Sequence, residues 1–80
     1  MLLCDLISKT SGVMVYRLHL IDNDGAYVMD DVIDYINRER ADCDLQVDTY
    51  GDWYVEEIVI DSKIMIGVQI CQIDREEAGL

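Results

Sequence analysis

Carboxylates recur on alternate positions in one stretch of the chain. The aspartates at its even positions are Asp42, Asp44, Asp48 and Asp52. If this stretch is a β-strand, residues two apart lie on the same face, about 6.8 Å from one another. That distance is about two phosphate steps along one strand of duplex DNA, at about 3.4 Å per step. A rigid row of carboxylates at this spacing would imitate a phosphate backbone and occupy a basic groove that normally holds nucleic acid.

The whole chain is acidic, and a second cluster of acids consists of Asp30, Asp31 and Asp34. Among 80 residues, 17 are Asp or Glu and 6 are Lys or Arg, so the formal net charge is −11. Direct nucleic-acid binding needs cations that displace phosphate counterions, and anionic membranes likewise attract basic segments. The composition therefore predicts that a macromolecular partner held by charge is a protein with a basic surface.

A calcium loop is a weaker interpretation of a third acidic segment. Asp22, Asp24 and Gly25 resemble part of such a loop, with Asp31 at its twelfth position. The first position would then be Leu20, which cannot ligate a cation. A hairpin turn explains the same residues, so we expect no metal site and no cofactor.

Nucleophilic chemistry has little support in the sequence. The single histidine, His19, would need one of the widely spaced cysteines beside it, and Cys4 on a neighbouring strand is the best placed. Cys43 and Cys71 complete an odd set without metal-binding spacing, which favours free thiols in a reducing cytoplasm. A sheet protein of 80 residues rarely forms a deep cleft, so we expect that this protein is not an enzyme.

The elements that position these residues follow from periodicity. Period-two alternation predicts strands at 2–8, 13–21, 43–50, 53–60 and 64–73, with a short strand at 26–28. Turns are predicted at 22–25 and 61–63, the second one pairing Ile60 with Ile64. Asp30 or Asp31 is a good N-cap for a helix at about 30–41, or for a longer helix from Ala26. The expected fold is α+β: an antiparallel sheet of about five strands with one helix on one face, over residues 1–74, and a polar tail at 75–80.

The second face of this sheet is expected to be apolar. If the isoleucines of the last two strands face the helix, the residues that point away are Val13, Val15, Trp53, Val55, Val59, Met65 and Cys71. One helix cannot cover both faces, and a large exposed apolar patch usually marks an interface. We therefore predict a homodimer or partner face that includes Tyr50, Trp53, Val55, Val59 and Met65. The alternative is that loops or the tail cover this face.

In length, charge and acidic clusters, the chain resembles the short acidic proteins that bacteriophages encode against host nucleic-acid machinery, including anti-CRISPR inhibitors and DNA mimics. The resemblance is one of class and rests on no residue-by-residue motif. It implies a non-enzymatic inhibitor, in the cytoplasm of a bacterial host, that occludes the basic channel of a Cas effector, a restriction enzyme or a similar nuclease. The alternative is a structural or assembly module that dimerises through the second sheet face and uses its charge for solubility.

Overall fold

The computed structural model describes residues 1–79 and arranges them in two helices and a four-stranded mixed sheet. The elements in chain order are α1 Leu3–Lys9, β1 Val15–Ile21, β2 Tyr27–Asp34, α2 Arg40–Tyr50, β3 Tyr54–Ile60 and β4 Met65–Cys71. The strand order is β2-β1-β4-β3. The central pair, β1 and β4, is parallel, and both outer pairs are antiparallel. The expected α+β class is confirmed.

The core lies on one face of the central strands. Alternate residues of β1 and β4 stand side by side there, in the pairs Tyr16 with Ile66, Leu18 with Val68, and Leu20 with Ile70. All six are buried, because both helices pack on this face. Leu3 and Leu6 of α1, and Cys43 and Tyr50 of α2, complete the cluster. Each helix thus contributes one apolar face, as amphipathic helices of small domains do.

Three segments adopt a different structure from the one predicted. Residues 2–8 belong mainly to the helix α1 rather than to a strand. The helix expected at 30–41 is instead the end of β2, a loop and the start of α2, and the strand expected at 43–50 is the helix α2. The sheet consequently has four strands instead of five, and it is mixed instead of antiparallel. Residues 43–50 form a helix because Cys43, Val47 and Tyr50 also have helical spacing. A strand there is not needed beside β1, since β2 of the hairpin pairs with that edge of β1. The row of aspartates on one strand face does not form.

The hairpin at residues 22–25 is confirmed. The side-chain Oδ1 of Asp22 accepts the backbone N–H groups of Asp24 and Ala26, each at 2.9 Å. Gly25 has a φ of +88°, which suits glycine because L side chains rarely adopt it. The strand that follows, β2, is much longer than the short strand expected at 26–28. The turn at 61–63 also forms, but Ile60 pairs with Ile66, two residues beyond the predicted partner.

The second sheet face is less apolar than expected. Trp53 and Val55 pack against the core rather than pointing away from it, and the register of β3 shifts between Val55 and Glu57. A β-bulge of this kind reverses the alternation of side chains along a strand. Cys71 is fully buried at one end of the face, near the point where Arg75 of the predicted tail donates to the Asn23 carbonyl at 3.3 Å.

Gly51 permits the close contact between the two helices. Its N–H donates to the carbonyl oxygen of Val47 at 2.7 Å, which ends α2. A Cβ atom at this position would lie 2.4 Å from that same oxygen and 3.3 Å from the Cβ of Cys4 in α1. Backbone and a packed side chain would both have to move to accommodate it.

We expect Gly51→Ala to lower the free energy of unfolding by about 1–3 kcal/mol, because overpacking forces backbone shifts. Urea denaturation followed by circular dichroism measures this change. Gly12→Ala is the matched control, since a Cβ there meets nothing within 4 Å. Equal stability of the two variants would contradict the proposed role of Gly51.

Candidate functional site

The exposed side of α2 carries carboxylates that have no cationic partner. Asp44 and Asp48 are one helical turn apart, with about 5–6 Å between Cβ atoms at this spacing. Leu45, the residue after Asp44, is 65% exposed. Among residues 1–79, no Lys, Arg or His nitrogen comes within 4.0 Å of either carboxylate. We call Asp44, Leu45 and Asp48 the acidic helix face.

Two further aspartates extend this acidic region along the chain. Asp42 is exposed in the first turn of α2, where the helix dipole favours a negative charge. Asp52 is exposed in the turn that follows the helix. All four aspartates of the predicted row are therefore at the surface, but a helix and a turn position them instead of a strand.

The loop that leads into α2 is organised by Asp34. Its carboxylate accepts the Nδ2 of Asn37 at 3.0 Å and the backbone N–H groups of Ile36 and Asn37 at 2.9 and 3.0 Å. These hydrogen bonds, the one from the Asn37 side chain foremost, lower the pKa of Asp34. The carboxylate is therefore engaged in turning the chain from β2 towards α2.

Asp31 connects β2 to α2. Its Oδ2 accepts the hydroxyl of Tyr50 at 2.9 Å, and its Oδ1 accepts the side-chain amide of Gln46 at 3.3 Å. Burial and, after it, the hydrogen bond to Asp31 raise the pKa of Tyr50. Asp31 thus makes specific contacts with two residues of the helix, which distinguishes it from the free carboxylates of the acidic helix face.

The face of the sheet opposite the helices forms an open groove of about 720 Å³. Its lining residues include Gly67, Val32 and Val59. Charges of both signs line it, among them Arg17 and Asp30, and Asp30 is hydrogen-bonded to Nδ1 of His19 at 3.0 Å. The groove is therefore neither purely apolar nor purely acidic, and it is where Asp30 lies.

The predicted anchor residues are divided between the two faces. Tyr50 and Trp53 contact each other edge to face on the core side, with ring centroids 5.5 Å apart, and Val55 packs on that side too. Val59 is exposed on β3 and flanks the groove, and Met65 is half-buried in β4. A strand at 43–50 would have placed Leu45 on the face opposite the aspartates, towards the core. Its true position is recognisable from helical spacing, because it falls outside the buried stripe of α2.

The residues considered for metal or nucleophilic chemistry do not come together. Asp22 is engaged in the hairpin turn, while Asp31 contacts α2. Cys4 lies in α1 on the core face, whereas His19 lies on the opposite face with Asp30. Within the described part of the chain, no three His, Cys, Asp or Glu side chains are grouped closely enough to hold a metal ion.

Comparisons with known proteins found no matching family model, no matching curated protein and no matching solved structure. Neither helix in residues 1–79 has the length and apolar character that a membrane span requires.

We expect Tyr50→Phe to lower the free energy of unfolding by about 1 kcal/mol at neutral pH, since it removes a hydrogen bond to Asp31. Because folding raises the pKa of Tyr50 above its ordinary 10.0, its contribution is complete below that pH and is lost as the pH rises through the raised pKa. Urea denaturation at neutral pH and above pH 10.0 tests both effects.

The pH dependence separates Tyr50 from the other tyrosine whose pKa folding raises. Burial is the largest cause of the raised pKa of Tyr35. Tyr35 is present in both the wild type and Tyr50→Phe. If the variant loses less stability than the wild type at alkaline pH, the difference is therefore due to Tyr50. An identical alkaline loss in wild type and variant would contradict the assignment.

Proposed function

We propose that this protein is a non-enzymatic inhibitor whose acidic helix face occupies the basic nucleic-acid-binding site of a nuclease or CRISPR-type complex. The observation that carries the proposal is the pair of unpaired carboxylates, Asp44 and Asp48, next to an exposed leucine. Carboxylates would pair with lysine and arginine side chains of the partner, and Leu45 would enter an apolar depression between them.

The charge arrangement favours a partner over mere solubility. Like charges at this helical spacing destabilise a helix by about 0.2–0.5 kcal/mol. A net charge of −11 in 80 residues adds self-repulsion across the whole molecule. A basic partner relieves both costs, and charge complementarity also speeds association and excludes acidic partners.

The spacing of the carboxylates remains compatible with phosphate mimicry. Four residues of α-helix rise about 6 Å, which is close to the span of two phosphate steps in duplex DNA. Leu45 supplies a contact that nucleic acid does not offer, and full burial of a leucine side chain stabilises a complex by about 1.5–3 kcal/mol. Charge would then provide attraction, and the leucine would provide selectivity for one protein.

The test is displacement of fluorescent duplex DNA from a panel of purified Cas effectors and restriction nucleases, measured by anisotropy. We expect the wild-type protein to displace DNA from at least one of them. Asp44→Asn combined with Asp48→Asn should weaken this competition by about tenfold or more, equivalent to about 1.4 kcal/mol. The competition should also weaken as salt is raised, because salt screens exposed charges.

The matched control is Glu76→Gln combined with Glu77→Gln, which removes the same charge from the exposed C-terminal turn. It should compete like the wild type. If both double variants lose competition equally, total charge alone is responsible and the acidic helix face is not the binding surface. If no member of the panel releases DNA, the inhibitor proposal fails for these classes of target.

A second candidate function, assembly with another copy, is favoured by the free edge of β3. Ile58, Val59 and Ile60 are 42%, 53% and 78% exposed. The strand is at the edge of the sheet, and the N-terminal residues pair only with its start, where the Val55 N–H donates to the Met1 carbonyl at 2.8 Å. An exposed, apolar edge strand is a ready template for pairing with another chain.

The charges along β3 are compatible with self-pairing. In an antiparallel pair of two copies centred on Ile58, Glu57 of one copy lies opposite Val59 of the other. Glu56 is the extra residue at the register shift of β3 and pairs with Arg75 at 3.2 Å. No two like charges are then directly opposite. The other edge strand, β2, has Asp30 and Asp31 at its centre, where self-pairing would oppose them. The edge of β3 is therefore the one that suits a dimer.

Under this second candidate, Ile58→Lys should convert the dimer to a monomer, because two lysines would face each other at its centre. Ile60→Lys is the matched control, since residue 60 lies away from the centre, no two lysines would face each other and the dimer should persist. Sedimentation equilibrium over a range of protein concentrations measures the mass. A wild-type protein that stays monomeric throughout, or equal effects of the two variants, would contradict this assembly.

A further inference from the structure

A second concavity of about 370 Å³ lies between the turn that follows α1 and the loop that precedes α2. Arg38 and Arg40 line it together with the hydroxyl residues Thr10 and Ser11. Its remaining lining residues are aliphatic or aromatic, and none is Asp or Glu. In this it differs from the open groove of the sheet, whose lining includes acidic residues. Arg38 lies between the two concavities and lines both of them.

The two arginines are free to bind an anion. Across residues 1–79, no carboxylate oxygen lies within 4.0 Å of either guanidinium group. Arg38 makes one long contact, in which Nη1 donates to the Val32 carbonyl at 3.4 Å. Asp34 is the carboxylate whose pKa the charge of Arg38 helps to lower, but its oxygens accept hydrogen bonds from the loop. Two unpaired guanidinium groups at one pocket contrast with a chain whose net charge is −11.

Hydrogen bonds hold the two sides of the pocket together. The backbone N–H of Tyr35 donates to the Met14 carbonyl at 2.9 Å, which joins the loop before α2 to the segment before β1. The hydroxyls of Thr10 and Tyr16 are 2.5 Å apart, and Thr10 also donates to the Leu6 carbonyl at 2.8 Å. The site is therefore formed before any ligand arrives, which reduces the ordering that binding requires.

The interior of the pocket suits a ring. Tyr16 and Tyr35 contact each other edge to face, with centroids 6.5 Å apart, and Val13 and Ile7 add aliphatic surface. A cationic rim over an aromatic and aliphatic interior matches a ligand with a charged group at one end and a flat apolar body. Small-ligand pockets commonly have volumes of about 300–1,000 Å³, which includes this one.

We propose that this pocket binds a small phosphate monoester that carries a ring, such as an aryl or nucleoside monophosphate. The guanidinium groups of Arg38 and Arg40 would hold the phosphate oxygens, because planar guanidinium groups bind phosphate through paired hydrogen bonds. Ser11 would donate a further hydrogen bond, and the ring would lie against Tyr35. This inference does not depend on the acidic helix face.

The experiment is a titration of the isotopically labelled protein with phenyl phosphate, followed by amide chemical shifts in NMR spectra. We expect saturable shifts confined to residues 10–16 and 35–40, with a Kd of about 1 mM or lower. Inorganic phosphate and phenol are titrated separately, and each should bind at least about tenfold more weakly because each lacks half of the ligand.

Single variants identify the groups that hold the phosphate. Arg38→Gln and Arg40→Gln should each weaken phenyl phosphate binding by about tenfold. Lys63→Gln, which removes the same charge from the β3–β4 turn, should leave it unchanged. Arg38→Lys should bind more weakly than wild type because an ammonium group cannot form the paired contact.

Three results would overturn the proposal. The first is the absence of saturable shifts in the wild-type protein. The second is an equal loss of binding in Lys63→Gln and the arginine variants, which would indicate general charge. The third is equal affinity for inorganic phosphate and phenyl phosphate, which would exclude a role for the apolar interior. Amide spectra of each free variant that match the wild type establish that the fold is kept.

Discussion

The parallel pairing of β1 with β4 is the contact on which the rest of the molecule depends. Its register runs without interruption from Val15 opposite Met65 to Ile21 opposite Cys71. The pairing brings the core-facing residues of two distant segments into one surface, which both helices then cover. Because parallel neighbours need a long crossover connection, everything between β1 and β4 must cross the core face or extend the sheet. That requirement puts α2 over the core and leaves β2 and β3 as the edges.

The sequence predicts those parts of the fold that local patterns determine. The turn at Asp22 to Gly25, the core-facing alternation of β1 and β4, and the turn before β4 all depend on neighbouring residues. The elements predicted for residues 30–50 are wrong because the apolar positions of this segment fit both the two-residue period of a strand and the 3.6-residue period of a helix. Cys43 and Val47 fit both a strand and a helix, and the exposed position of Leu45 is what separates them. That choice is made by packing against β2 and the core, which lie elsewhere in the chain.

The same distinction applies to the carboxylates. Sequence alone identifies them and counts their charge, but it does not separate those that hold the fold from those that are free. Asp31 is engaged because Gln46 and Tyr50 reach it from a helix that begins several residues later. Asp44 and Asp48 stay free because their side of that helix faces away from the sheet. The distance between neighbouring carboxylates is similar in the predicted strand and in the observed helix, since one helical turn and two strand residues cover similar distances.

Asp42 in the first turn of α2 suits the helix dipole, but two other features of the helix do not. Arg40 is the first residue of the helix, where a cation is unfavourable, and the last turn contains no basic residue but does contain Asp48. Charges placed the other way round would each stabilise the helix by about 0.3–1 kcal/mol. The helix must therefore be held by tertiary packing, chiefly by the burial of Cys43 and Tyr50 and by the contacts of Asp31. Arg40 therefore lies at the start of the helix beside the pocket, while Asp44 and Asp48 lie along its exposed side. These are the surfaces for which we propose an anionic small ligand and a basic protein partner.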